Sequence, residues 1–261
     1  MARWIAVLLA IACFLFLALT SIAHQIRAGK SGNVATNVRG DIDSPIRDYL
    51  IRNPEVIREA LMTLGAREEM EKRKRAEESL RESQAQLLND ADSPVGGNPK
   101  GDVTVVEFFD YNCGYCRKVH GYLQALTAQD PDVRIVYKDL PILGPQSLMA
   151  AKAALAAARQ GKYEAFHHGL MALEKVDEAG VKALASRLQL NYTTLQKDMS
   201  DPRLDEYITR VHGLARNLDI SGTPAFVVGQ RLLPGAVPLD VLATLVKEER
   251  SRLKQKPAEK Q

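Results

Sequence analysis

The segment Tyr111-Asn112-Cys113-Gly114-Tyr115-Cys116 stands where an apolar run, Val103 to Phe109, gives way to a helical pattern with Val119, Tyr122, Leu123 and Leu126 on one side. A buried strand that feeds a helix through a turn carrying two cysteines leaves few options. The first cysteine sits near the helix N-terminus, where free N–H groups and the macrodipole stabilise a thiolate. A stabilised thiolate is both an attacking group and a good leaving group, which exchange through a mixed disulfide requires. Cys116, one helical turn on, is placed to resolve that mixed disulfide. A permanent structural bridge at this spot would constrain little of the unfolded chain, because the loop it closes is so short. Zinc would need two further ligands, and His120, His167, His168 and His212 lack a convincing ligand spacing. The adjacent His167 and His168 would point about 100° apart on a helix, which favours core or surface roles over a shared ion, so no metal site is expected. Two thiolates alone suit Cu(I), and a copper-binding or copper-delivery protein is the rival reading of the same pair.

The third cysteine, Cys13, belongs to a different part of the chain. Met1-Ala2-Arg3 is a short positive start, followed by an uncharged stretch from Trp4 to Ala23. Ser21-Ile22-Ala23 fits signal-peptidase cleavage, so 1–23 reads as a signal peptide, with an uncleaved membrane anchor as the alternative. Either way the remainder is exported, to a periplasmic location, tethered to the inner membrane if the leader stays on. Residues 24–40 read as a linker. With 35 Lys and Arg against 32 Asp and Glu, there is no basic footprint and no nucleic-acid partner is expected.

Residues 41–90 read as a helical extension. Ser44-Pro45 and Asn53-Pro54 each put a capping residue before a proline suited to a first helical turn. Ile46, Tyr49 and Leu50 make one small apolar face; Ile57, Ala60, Leu61 and Leu64 make another. From Ala66 to Leu88 the pattern is strongly charged, with i,i+4 pairs Glu68–Lys72, Glu69–Arg73, Glu71–Arg75 and Glu77–Arg81. A heptad frame through Ala66, Met70, Leu80 and Leu87 is interrupted by Arg73, Glu77 and Gln84. The segment is either a solvated spacer or an oligomerisation stalk for a homodimer or homotrimer.

The turn formers of Asp92 to Pro99 mark the start of a main domain, 94–256. Strands are expected at Val103–Phe109 and Val133–Lys138, joined in parallel by a crossover helix from about Tyr115 to Ala128. A loop follows over Asp139–Pro145, and a helical block at about 145–218. The chain closes with a hairpin, Ala225–Val228 and Arg231–Leu233 around Gly229-Gln230, and a helix from Leu239 to Arg252. Thr223-Pro224 precedes the hairpin: either a cis peptide at a strand start or an ordinary trans turn. Glu107 interrupts the first strand. It is either an edge residue facing water or a partly buried carboxyl with a raised pKa that shuttles a proton for Cys116.

Together, Val105-Val106-Glu107-Phe108-Phe109-Asp110-Tyr111-Asn112-Cys113-Gly114-Tyr115-Cys116, Gly222-Thr223-Pro224 and the strand and turn to Gly235 resemble the DsbA family of exported thiol:disulfide oxidoreductases. The resemblance spans about Pro94 to Arg252. It implies an α/β thioredoxin fold with an inserted helical domain, preceded here by the helical extension. It also implies that Cys113 is the exposed nucleophile, Cys116 the buried resolving thiol, Pro224 a cis-proline and Glu107 the buried acid. Gly114-Tyr115 and Thr223 depart from the strong oxidases, which carry Pro-His and Val, and are similar to disulfide isomerases of the DsbC type. The helical extension resembles that of the ScsC and Com1-like branch. The resemblance thus implies isomerase or reductase action on misdisulfided exported proteins, with Gly114, Tyr115, Thr223 and Pro224 facing the client. It implies no organic cofactor, and a membrane partner of the DsbD type, or of the DsbB type for an oxidase.

Overall fold

The computed structural model describes residues 45–255. The expected leader with Cys13, the linker and the first residues of the helical extension lie outside them. The described residues fall into two units, one ending at Glu69 and the other beginning at Met70.

In the first unit, helix α1 (45–52) is followed by the start of α2 (Pro54–Glu82). Pro54 opens α2 as its first-turn residue, as the dipeptide predicts. Asn53 does otherwise than expected: its side-chain amide donates to the Tyr49 carbonyl at 2.8 Å, closing α1 instead of capping α2. Ile46, Tyr49, Ile57, Leu61 and Leu64 all lie exposed and Leu50 is half-buried, so both predicted apolar faces are largely uncovered among the described residues.

The second unit takes in the end of α2. Leu80 and, on the short α3 (Gln84–Leu88), Leu87 are buried in the main core. Two positions of the interrupted heptad therefore serve this core, which reaches back past the boundary expected at residue 94. Arg81 pairs with Glu78 instead of the expected Glu77.

The sheet has five strands: β1 (Val95–Gly97), β2 (Val103–Phe109), β3 (Val133–Asp139), β4 (Ala225–Val228) and β5 (Arg231–Pro234), in the order β1-β3-β2-β4-β5. β2 runs parallel to β3, with Glu107 opposite Tyr137 and Phe109 opposite Asp139. β4 pairs antiparallel to the other side of β2, with Phe226 opposite Glu107. A strand flanked on both edges and covered on both faces reads as a mainly apolar run, which is why β2 shows no regular alternation. Strand β1 went unread because its residues look like turn formers. Gly96 packs on the Tyr137 ring, where a Cβ would fall 2.7 Å from an aromatic carbon. Only glycine allows that approach.

Helix α4 (Gly114–Gln129) crosses between β2 and β3 and buries Cys116, Val119, His120, Leu123 and Leu126 as one stripe. Against it and β2 packs α10 (Leu239–Gln255), through Leu242, Leu245 and Val246. Arg250 fastens the far end, donating to both carboxylate oxygens of Asp102 and both of Asp130 at 2.7–3.0 Å. Such two-pronged pairs are the geometry in which a surface ion network contributes most.

The inserted block consists of α5 (Pro145–Ala158), α6 (Tyr163–Ala172), α7 (Glu178–Arg187), α8 (Tyr192–Met199) and α9 (Pro202–Asn217). Helix α5 is its axis. Six buried alanines let α6, α7 and α8 approach it closely. Helix α9 is amphipathic and lays Leu204, Tyr207, Ile208, Val211 and Leu214 inward, against β3 among others.

Candidate active site

The site is built where β2 ends. Cys113 caps α4: its extended backbone (φ −78°, ψ 116°) precedes the first turn, and the Cys116 N–H donates to its sulfur at 3.4 Å. Both cysteines are free thiols. Their accessibility differs, Cys113 being 7% exposed and Cys116 not at all. Cys113 is the accessible member of the pair, as the resemblance implies, but it lies in a recess and is not openly exposed. Its thiol donates to the Thr223 carbonyl at 3.3 Å. The Thr223-Pro224 peptide is cis, so the turn alternative is set aside, and it joins directly to β4. Gly114 and Tyr115 are exposed beside Cys113. Around them Tyr115, Ile142, Leu143 and Leu148 leave large apolar side chains in solvent.

Below the dithiol lies Glu107. Its place on the central strand rules out the water-facing alternative: the side chain is fully buried and neither carboxylate oxygen has a hydrogen-bond partner. Burial, then the neighbouring Asp139, then Cys113, push its pKa up to about 8. The Cys116 thiol is likewise pushed well up, chiefly by burial, with Glu107 adding to it. The Cys116 sulfur therefore ionises only with a proton acceptor nearby, and the buried carboxyl is electrostatically coupled to it.

Two residues escaped the sequence reading. Asp139, assigned to a loop, is the last residue of β3 and fully buried; burial pushes its pKa to about 8 as well. Its signal was the polar pair Lys138-Asp139 directly after Ile135-Val136-Tyr137, which the parallel register forces inside. Lys138 is satisfied there, donating to the Gln86 carbonyl at 2.5 Å, to Ser93 Oγ at 2.6 Å and to Asp90. Asp110 is the other. Its Oδ1 accepts from Asn112 N at 2.8 Å, and Oδ2 accepts from the Ile142 and Leu143 N–H groups at 2.9 and 3.0 Å. One buried carboxylate thus ties the cysteine turn to the apolar loop beside it. Asp110→Ala leaves three backbone donors without their acceptor. It should cost about 2–4 kcal/mol, read as a lower urea midpoint at unchanged slope, with faster amide exchange confined to residues 140–144.

Of the four candidate histidines, His120, His167 and His168 come together one turn beyond Cys116 on the buried face of α4, and His212 is not among them.

A dithiol capping a helix at the end of a central strand, faced by a Thr–cis-Pro peptide, is a thioredoxin-type redox site. A model of the DsbA-like thioredoxin domain matches residues 104–247, and one described as the copper resistance protein ScsC N-terminal domain matches 40–71. The chain belongs to the DsbA-like thioredoxin family of oxidoreductases, in its ScsC-like branch. Among solved structures, a thioredoxin-like oxidoreductase from Silicibacter pomeroyi is 48% identical with a TM-score of 0.63, covering 64% of this chain and 97% of that one. Proteus mirabilis ScsC in a transitional conformation is 31% identical with a TM-score of 0.63, covering 83% and 99%. A periplasmic thioredoxin-like protein from Salmonella enterica serovar Typhimurium is 34% identical with a TM-score of 0.60, covering 64% and 95%. A Na(+)/H(+) antiporter, NhaA 3 of Salinispora tropica, is 32% identical over 155 residues, 58% of this chain. The chain spans 24% of that protein's length. No helix among the described residues is long and apolar enough to cross a membrane.

Proposed function

We propose that this chain exchanges disulfides with exported client proteins in the periplasm, as an isomerase or reductase and not as a net oxidase. The observation that carries the reading is the asymmetry of the pair: an accessible Cys113 sulfur against the Thr223 carbonyl, and a sealed Cys116 coupled to Glu107. The Cys113 thiolate attacks one sulfur of a client disulfide, forming a mixed disulfide and releasing the other sulfur as a thiolate. In isomerisation, a second client thiolate displaces Cys113. In reduction, Glu107 in its ionised form takes the Cys116 proton, the Cys116 sulfur attacks the Cys113 sulfur, the client leaves as a thiolate, and the pair is left oxidised. Thr223, Pro224, Gly114 and Tyr115 line the surface that the client's backbone meets. A reduced resting pair needs a membrane electron donor of the DsbD type. The exposed apolar faces of α1 and the start of α2 support a homodimer or homotrimer formed through residues 41–90, which would turn several dithiols toward one client.

The deciding measurement is the reduction potential of the Cys113–Cys116 pair, taken with refolding of a scrambled disulfide protein. An isomerase is expected nearer the roughly −180 mV of a disulfide isomerase than the about −120 mV of a strong oxidant, with native activity recovered from the scrambled substrate. An oxidising potential without that recovery would overturn the preference and imply a DsbB-type partner. The match of residues 40–71 to a copper-resistance domain favours one second reading, Cu(I) held by the two thiols. It requires tight one-to-one Cu(I) binding with no turnover of scrambled substrate.

A further inference from the structure

We propose that His120, His167 and His168 form a binding site for a divalent transition-metal ion of the imidazole-preferring kind, such as Zn2+, separate from the dithiol. His120 comes from α4, one turn beyond Cys116; the other two come from α6. Each of the three rings brings one nitrogen within 4.8 Å of the other two. The obstacle seen in the sequence, that adjacent histidines diverge, is overcome by the facing helix. The His120 ring lies 5.0 Å from that of His167 and 4.8 Å from that of His168, centroid to centroid, while the adjacent pair stand 5.7 Å apart. His120 Nε2 and His168 Nδ1 already approach to 2.9 Å. A tetrahedral ion with bonds of about 2.0–2.1 Å would hold two such nitrogens a few tenths of an ångström further apart.

Three further features point to a ligand. His120 Nδ1 and His167 Nε2 are buried and have no hydrogen-bond partner. Buried polar atoms are nearly always satisfied, and His167 Nε2 is the orphan that an ion would satisfy, since His120 turns its other nitrogen, Nε2, toward His168. His167 Nδ1 sits 2.9 Å from the Tyr111 hydroxyl. With the proton on Nδ1, donated to Tyr111, the lone pair is left on the orphaned Nε2, the usual second contact of a ligating histidine. His168 has an analogous neighbour in Glu164, whose carboxylate lies 3.9 Å from its Nε2. His168 is partly exposed and gives an ion a way in. A set of neutral imidazoles suits zinc, copper or nickel and not calcium or magnesium.

The test uses the full chain with its thiols removed (Cys13→Ser, Cys113→Ser, Cys116→Ser), so that the site and the proposed dithiol chemistry succeed or fail separately. Titration with Co2+ should give one ion per chain with the visible absorption of a four- or five-coordinate site, displaced by Zn2+. Zn2+ should raise the melting temperature in proportion to the logarithm of its concentration. His168→Ala, at a partly exposed position, should weaken binding at least tenfold. Tyr111→Phe should weaken it about 10–100-fold by releasing His167. Absence of saturable one-to-one binding below millimolar metal, in the cysteine-free chain alone, overturns the proposal. So does an affinity that neither substitution changes.

Discussion

Cys113→Ser should abolish disulfide exchange, lowering turnover of a scrambled substrate by on the order of a thousandfold or more. The reason is positional as much as chemical. A serine hydroxyl cannot form the mixed disulfide, and the second thiol cannot step in, because Cys116 is sealed under α4 with no exposed surface. The partner substitution should behave in the opposite way. In Cys116→Ser the attacking sulfur and the Thr223 carbonyl beside it are intact, so attack continues while intramolecular resolution does not. Covalent client adducts should accumulate, visible on non-reducing gels and released by dithiothreitol. Appreciable turnover by Cys113→Ser, or adducts trapped through Cys116 in that variant, would reverse the assigned roles.

The second large effect concerns Glu107. Its carboxyl is raised from 4.5 to about 8 in the folded chain, so the native state binds that proton more tightly than the unfolded state does. Its contribution is therefore fully present below about pH 4.5 and is lost as pH rises through about 8. Asp139, raised to about 8, pulls the same way. Stability should decline between mildly acidic pH and pH 8, against the usual trend for paired surface carboxylates. Glu107→Met, close in volume and with no polar atom to leave unpaired, should stabilise the domain at pH 8 by about 1–3 kcal/mol and flatten the decline. The same substitution should slow resolution by Cys116 by about a hundredfold, the scale of one lost general acid or base. Urea melts across pH and stopped-flow mixed-disulfide decay read the two effects. A variant no more stable than wild type at pH 8, or one that resolves at full speed, would contradict this account of the buried acid.

What could be read in advance follows from how local each signal is. The dithiol, its strand and its helix were legible because one short segment holds the whole pattern: continuous apolar run, turn, amphipathic stripe. The hairpin was legible for the same reason, with Gly229 at a φ of 59° that favours glycine. Asp139 was not, because its burial depends on pairing with Phe109, thirty residues away, and the polar pair Lys138-Asp139 after an apolar run reads locally as a strand giving way to a loop. Strand β1 hid behind Gly96-Gly97, whose use is to let β3 and Tyr137 come close. The histidine cluster needed two helices in register. Leu80 and Leu87 carry the same hydrophobicity whether they face a partner chain or the sheet, so periodicity alone could not say which.

The shallow recess of Cys113 bears on which disulfides the protein would accept. A cysteine that is 7% exposed, on a turn that Asp110 ties to the loop carrying the exposed Ile142 and Leu143, would be hard to reach for a bond held in a rigid, finished fold. Only a segment loose enough to extend along the Thr223 carbonyl, and greasy enough to rest on those side chains, brings its own sulfur within range. Selection would then act on mobility and not on any sequence: a client would be worked upon while it is slack and ignored once it has set.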